Sequence, residues 1–241
     1  MGLGEKSALL VGVGGLGCPA ALALADAGIG RLVICDDDQV ELSNLHRQLL
    51  FSEADVGADK LDAAARALRR RATGTRIELA RTRLLPSTAE ALVRGVDVVL
   101  EGADNFATKF LAADVCHLER RPIVHGAAIR WTATVWSVGP QGRPCYRCLF
   151  EDPPPSQANM SCATAGVVGP MVGLAGALMA DLALRQLVGE PVEGSIFTYD
   201  GKRDRLRQVA VSPRPACALC GSQQEISRVE ESRYTAPRSC V

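Results

Sequence analysis

Short apolar runs alternate with alanine-rich amphipathic stretches along most of the chain, the arrangement expected of strands and helices in an α/β protein. Ala8-Leu9-Leu10-Val11 reads as a strand, passes through the glycine-rich turn Gly12-Val13-Gly14-Gly15-Leu16-Gly17, and continues into a helical pattern that ends near Gly28. A second apolar run, Leu32-Val33-Ile34-Cys35, closes on Asp36. Lys60 to Arg71 fits a surface helix ending in the solvated run Arg69-Arg70-Arg71, and Arg76 to Arg83 alternates as a strand. Ser87 is placed to cap a short helix to Arg94. Val96 to Leu100 is apolar in the manner of a parallel sheet and stops at Glu101-Gly102-Ala103-Asp104-Asn105, ahead of a helix to about Arg120. Pro122 to His125 and Trp131 to Val138 are further strands, with Gly126 to Arg130 between them. An apolar helix then runs to Val188, and its small residues Gly169, Gly173, Gly176 and Ala177 suit close packing, in the core or at a dimer interface. Ser195 to Asp200 and Arg205 to Val211 read as a closing antiparallel hairpin.

The pattern predicts a single domain over residues 1–221, with a nucleotide-binding half at about 1–140 and a second half at about 141–221. Residues 222–241 are polar, lack a core pattern and are expected to form a flexible tail. Lys plus Arg and Asp plus Glu are both 27, so nothing favours a nucleic-acid surface or a polybasic membrane anchor. The longest weakly charged run, Thr164 to Ala180, is 17 residues, short of the roughly 20 that span a bilayer. Strand-like sequence begins by residue 8 and leaves no room for a secretory leader, so a cytoplasmic protein is expected.

Strand, glycine turn, helix, strand and acid in that order form the βαβ nucleotide-binding fingerprint. Gly12 permits the tight turn, Gly14 lets a phosphate approach the backbone, and Gly17 lets the helix pack on the strand. Pro19 sits in the first helical turn, leaving other free N–H groups there to face an anion. The fold predicted is α/β, a Rossmann-like doubly wound and mostly parallel sheet with antiparallel C-terminal strands. By itself the glycine turn suits a NAD(P)-dependent oxidoreductase, and a non-catalytic dimeric scaffold would also keep this fold. Downstream of Asp36, however, come Asn44 and two cations, Arg47 and Lys60, which a triphosphate needs and a nicotinamide does not. Lys60 is one of only four lysines against 23 arginines, which sets it apart from the ordinary surface cations of this chain. Gly14, Asp36 and Asp104 all fall at the carboxyl ends of predicted strands, where ligands gather in open α/β sheets.

Nine cysteines include Cys145-Tyr-Arg-Cys148 and Cys217-Ala-Leu-Cys220, two pairs whose thiolates match tetrahedral structural zinc better than unrelated thiols or a redox pair, although 68 residues separate them. A closed site of this kind clips the C-terminal segment to the body and takes no part in catalysis. Cys162 precedes the apolar helix, where a thiolate is favoured, and an inert cysteine fits that position equally well. Cys240 reads as a dangling thiol.

Gly12-Val-Gly-Gly-Leu-Gly17, Ser43-Asn-Leu-His-Arg-Gln48, Lys60, Ala103-Asp-Asn105, Cys145-Tyr-Arg-Cys148, Cys162-Ala-Thr-Ala-Gly166 and Cys217-Ala-Leu-Cys220 together resemble the MoeB, ThiF and HesA group, bacterial adenylyltransferases related to ubiquitin-activating enzymes. The resemblance covers nearly the whole chain. It implies a homodimer that uses ATP to adenylate the C-terminal glycine of a small ubiquitin-like, β-grasp sulfur carrier ending in Gly-Gly, in molybdopterin or thiamine synthesis. It also implies roles for residues: Gly14 and Gly15 at the nucleotide, Asp36 at the ribose, Asn44, Arg47 and Lys60 at the triphosphate, and Asp104 on Mg²⁺. Cys162 aligns with a cysteine that in some members accepts the activated carrier or sulfur. His46 stands where many relatives have glutamine and receives no role. Family members usually carry an N-terminal helical segment whose arginine enters the partner's ATP site, whereas six residues precede the first strand here, so one cation is expected to be missing. No rhodanese-like segment follows Cys220, and a separate sulfurtransferase is the expected sulfur donor.

Overall fold

The computed structural model describes residues 2–72, 74–153 and 165–234. Its centre is an eight-stranded sheet. β1 (Ser7–Val11), β2 (Arg31–Asp36), β3 (Arg76–Arg81), β4 (Val98–Glu101) and β5 (Ile123–Ile129) are parallel. β6 (Thr132–Val138), β7 (Ser195–Asp200) and β8 (Arg205–Ala210) extend the sheet antiparallel, in the order β3-β2-β1-β4-β5-β6-β7-β8. The helices are α1 (Gly17–Asp26), α2 (Lys60–Arg71), α3 (Pro86–Arg94), α4 (Phe106–Leu118), the short α5 (Tyr146–Leu149) and α6 (Gly169–Leu187).

The all-apolar β1 is buried along its length because both sheet faces are covered. Ala8 and Leu10 join the core formed with α1, α2 and α6; Leu9 and Val11 join the opposite core with α3 and α4. The chain leaves β1 for β2 and β3 on one side and returns through β4 on the other. The reversal makes the carboxyl ends of β1 and β4 the topological switch point of the sheet.

α6 proves to be a core helix, with Val172, Ala175, Gly176, Met179, Ala180 and Ala183 buried. A Cβ on Gly176 would stand 2.3 Å from the Leu16 carbonyl oxygen, so only glycine lets α6 lie so close to α1. Gly126, expected between two strands, instead lies within β5, where a Cβ would stand 2.1 Å from Met179 Sδ.

Two local expectations are corrected. Ser87 is not the cap of α3: Pro86 opens that helix after Leu85, and Thr88 Oγ1 accepts the Leu85 N–H at 3.3 Å. Residues 222–234 are no loose tail either. Ile226 is buried with the paired cysteines, and the Tyr234 hydroxyl donates to Asp114 Oδ2 at 2.8 Å. Polar residues surrounding one isoleucine and one tyrosine hid these two anchors from periodicity. Among the described residues no helix is long and apolar enough to cross a membrane.

Candidate functional site

The glycine turn hangs from the end of β1. The Gly12 N–H donates to the Cys35 carbonyl at 2.8 Å, and its φ of +86° lies in the region that favours glycine. A Cβ on Gly17 would stand 2.0 Å from the Gly12 carbonyl oxygen, which explains the glycine that starts α1. Asp36, almost wholly buried, accepts the Val13 N–H on Oδ2 at 2.8 Å and the Asp38 N–H on Oδ1 at 2.9 Å. It ties the end of β2 to the turn, and each carboxylate oxygen keeps acceptor capacity for another donor.

The sequence-predicted cations converge on this turn by different routes. Arg47 is half-buried; its Cγ would lie 3.4 Å from a Cβ on Gly15, and its Nη2 donates to Asn44 Oδ1 at 2.5 Å. Asn44 in turn donates from Nδ2 to Glu41 Oε2 at 3.3 Å. Lys60 opens α2 after Asp59, whose side chain accepts the Asp62 N–H as the cap. Its buried Nζ donates to Asp38 Oδ2 at 2.8 Å, next to the Asp36 link. Asp37 pairs with Arg83 at 2.9 Å.

The Asp104 loop completes the ring. The Gly102 N–H donates to the Val11 carbonyl at 3.1 Å, and a Cβ on Gly12 would meet Gly102 and Ala103 backbone at 3.8–4.0 Å. Capping of α4 falls to Asn105, whose Oδ1 accepts the Thr108 N–H at 2.9 Å. Asp104 is exposed and makes no hydrogen bond or ion pair among the described residues. An unpartnered carboxylate on a loop beside a glycine turn suits a Mg²⁺ ion held by one acid and by phosphate oxygens.

The sequence reading missed what lies beneath that loop. Glu101, Lys109 and His125 form a buried cluster there, with Lys109 Nζ and His125 Nδ1 each 3.0 Å from Glu101 Oε2. Burial drives the Glu101 carboxyl upward, but the charge of Lys109 and the hydrogen bond with His125 outweigh it and hold the group below its ordinary range. Burial, only partly offset by Glu101, holds His125 below the usual imidazole value. A glutamate closing an apolar strand and a rare lysine on the following helix were the available signals. Gln48 was also unassigned: it is buried, and its Nε2 would lie 3.7 Å from a Cβ on Gly14.

The two cysteine pairs meet as expected. Cys145 and Cys217 sulfurs are 3.4 Å apart, Cys148 and Cys220 3.4 Å, and Cys145 and Cys148 3.9 Å. All four cysteines are free, and the cluster is mutually within 4.8 Å. Zn–S bonds of about 2.3 Å in a tetrahedron separate sulfurs by about 3.8 Å, so the donor set fits zinc. Between the first pair, Arg147 turns inward and grips the fully buried Asp114 through Nε at 2.8 Å and Nη2 at 2.9 Å. Cys162 and Cys240 lie outside the described residues. Cys18, at the start of α1, is no substitute nucleophile: burial pushes its thiol up to about 12.

Comparisons with known proteins identify the family and the fold. The ThiF family profile matches residues 2–219. A curated relative from Sus scrofa, named adenylyltransferase and sulfurtransferase MOCS3, is 41% identical over 234 residues, covering 95% of this chain and 51% of that protein. Its counterpart from Anopheles gambiae is 39% identical over 230 residues, covering 94% and 52%. The chain thus spans about half the length of the curated relatives it matches. A crystal structure of E. coli MccB with MccA-N7isoASN superposes with a TM-score of 0.80 at 23% identity, covering 91% of this chain and 68% of that one. PaaA superposes at 0.73 with 22% identity, covering 87% and 65%. These two structures share the fold.

Proposed function

The chain belongs to the ThiF family, and from that premise we propose that it uses ATP to adenylate the C-terminal glycine of a small ubiquitin-like sulfur-carrier protein, releasing pyrophosphate. The observation that carries the reading is the convergence on one glycine turn of Arg47 beside Gly15, the Lys60–Asp38–Asp36 relay to Val13, and the Gly102–Ala103 backbone beside Gly12, which leads directly into Asp104.

In this reading the backbone of Gly14 and Gly15 and the amino end of α1 receive phosphate. Asp36 accepts from the ribose hydroxyls. Arg47, steered by Asn44, and Lys60, drawn from Asp38, stabilise the negative charge that shifts to the departing pyrophosphate. Asp104 holds Mg²⁺, which when bound neutralises the triphosphate enough for a carboxylate to approach. Holding the terminal glycine in line with the α-phosphorus supplies the rest through proximity. The four cysteines hold Zn²⁺ as a closed structural site. An oxidoreductase would leave Arg47, Lys60 and Asp104 without work.

The test is pyrophosphate exchange into ATP with a panel of carriers ending in Gly-Gly, each beside a copy lacking those glycines. Exchange with one intact carrier and none with its truncated copy is the expected result, and Asp104→Ala should abolish it. Absence of exchange with every carrier, in folded zinc-loaded protein, would refute catalysis and leave a binding scaffold.

A further inference from the structure

The cluster under the Asp104 loop is more highly charged than packing requires. Glu101 is fully buried, and its Oε1 accepts the Ala103 N–H at 2.6 Å, one residue before Asp104. Lys109 Nζ reaches Oε1 at 3.2 Å and Oε2 at 3.0 Å, and donates at 2.7 Å to the carbonyl of Gly126 on β5. His125, also on β5, adds the 3.0 Å contact from Nδ1. One carboxylate thereby joins β4, α4, β5 and the backbone of the Asp104 loop. Apolar residues of similar volume would avoid the desolvation of this ion pair, so core packing alone does not call for it.

The same cluster abuts the glycine turn. A Cβ on Gly126 would stand 3.0 Å from Leu16 Cδ2, and one on Gly102 would stand 3.2 Å from Leu16 Cβ. Leu16 immediately precedes α1, so the Glu101–Lys109 pair and the phosphate turn share a wall. Downstream of Asp104 the loop is tied by the Asn105 cap; upstream it is tied through Ala103 to Glu101. Both sides of Asp104 are anchored while its own side chain stays unengaged among the described residues.

We propose that Glu101 and Lys109 are positioning residues for the nucleotide site: the pair fixes the Ala103–Asp104 backbone against the glycine turn, so that the Asp104 carboxylate is preset for the metal that accompanies a triphosphate. This rests on the nucleotide-binding reading above and deepens it. A charge-assisted bond from Ala103 N–H to a carboxylate is stronger than one to a neutral acceptor, and the Lys109 link to Gly126 keeps that carboxylate from swinging. The partner arrangement of a metal ligand commonly governs affinity as strongly as this.

The experiment measures ATP binding by calorimetry across a Mg²⁺ series, using the full chain loaded with zinc. In Glu101→Gln the half-saturating Mg²⁺ concentration should rise about tenfold, with metal-free ATP affinity held within about twofold. Lys109→Arg keeps the cation and should remain within about threefold of the wild type. Should Glu101→Gln fail to fold, Glu101→Gln with Lys109→Met leaves no unpaired buried charge and should show the same rise in Mg²⁺ demand at an unchanged melting temperature. Folded variants with the wild-type Mg²⁺ response would overturn the proposal, as would an equal loss of metal-free ATP affinity or the unfolding of both. Wild-type protein that binds no ATP at all would refute the nucleotide reading, and this inference with it. That outcome is told apart by the wild-type control.

Discussion

Helix α4 places two buried charges on neighbouring turns, Lys109 and Asp114, and each meets its opposite from a different part of the chain. Lys109 pairs with Glu101, eight residues back, and their carboxylate also holds the loop of Asp104. Asp114 pairs with Arg147, 33 residues ahead, and with Tyr234, 120 residues ahead. The first cluster holds a loop beside the glycine turn. The second ties down the C-terminal part, because Arg147 lies within the Cys145–Cys148 knuckle and Tyr234 lies eight residues beyond Ile226, which packs with the cysteines. Similar ion pairs on one helix thus hold a loop beside the glycine turn in one case and a tertiary closure in the other. What differs is the third partner: a backbone N–H next to an exposed acid, or a hydroxyl from a distant segment.

The largest effect should come from breaking the closure. Arg147→Met leaves Asp114 buried without a counter-charge and should cost about 3–5 kcal/mol of unfolding free energy in urea. Adding Asp114→Asn should restore most of that loss, because the pair is then neutral. A smaller break is Tyr234→Phe, which removes one donor from a carboxylate that keeps its arginine. It should cost about 1.5 kcal/mol and lower hydrogen-exchange protection over residues 222–234 without altering ATP binding.

The smallest effect sharpens the comparison through pH, because only the Glu101 cluster contains a histidine. Burial keeps His125 below its ordinary value in the folded state despite Glu101, while Lys109 adds to the depression. The unfolded chain takes up this proton near pH 6.5 and the folded chain only lower, so the unfolded state binds more protons as pH falls. Stability should therefore decline below about pH 6.5, by at most about 1.4 kcal/mol per pH unit from this residue. Glu101 acts only further down: its depressed value keeps its contribution intact above about pH 4.3 and loses it as pH falls through the folded value. Melting temperatures between pH 5 and 7.5 should show the first slope in the wild type, and His125→Gln should flatten it.

Much of the site could be read along the chain, because its parts obey local rules. The turn from Gly12 to Gly17 needs a positive φ at one end and no Cβ at the other, and both demands are visible as glycines. Asp104 stood out at a strand end, and Arg47 and Lys60 as cations downstream of Asp36. Glu101 and Lys109 did not, since a charge is recognisable as buried only when its partner and the surrounding desolvation are known. The capping of α4 by Asn105 likewise emerged only in the structure.

The sequence by itself determined most of the elements and the two cysteine pairs, whose signals lie within residues a few positions apart. Only the tertiary structure decided that β4 lies beside β1, which brings the Asp104 loop to Gly12, and that Cys145 meets Cys217 across 72 residues. It also decided that Tyr234 is an anchor. The hydroxyl gains a strong acceptor only after the sheet has buried Asp114 and turned Arg147 toward it, and that environment does not exist in the extended chain.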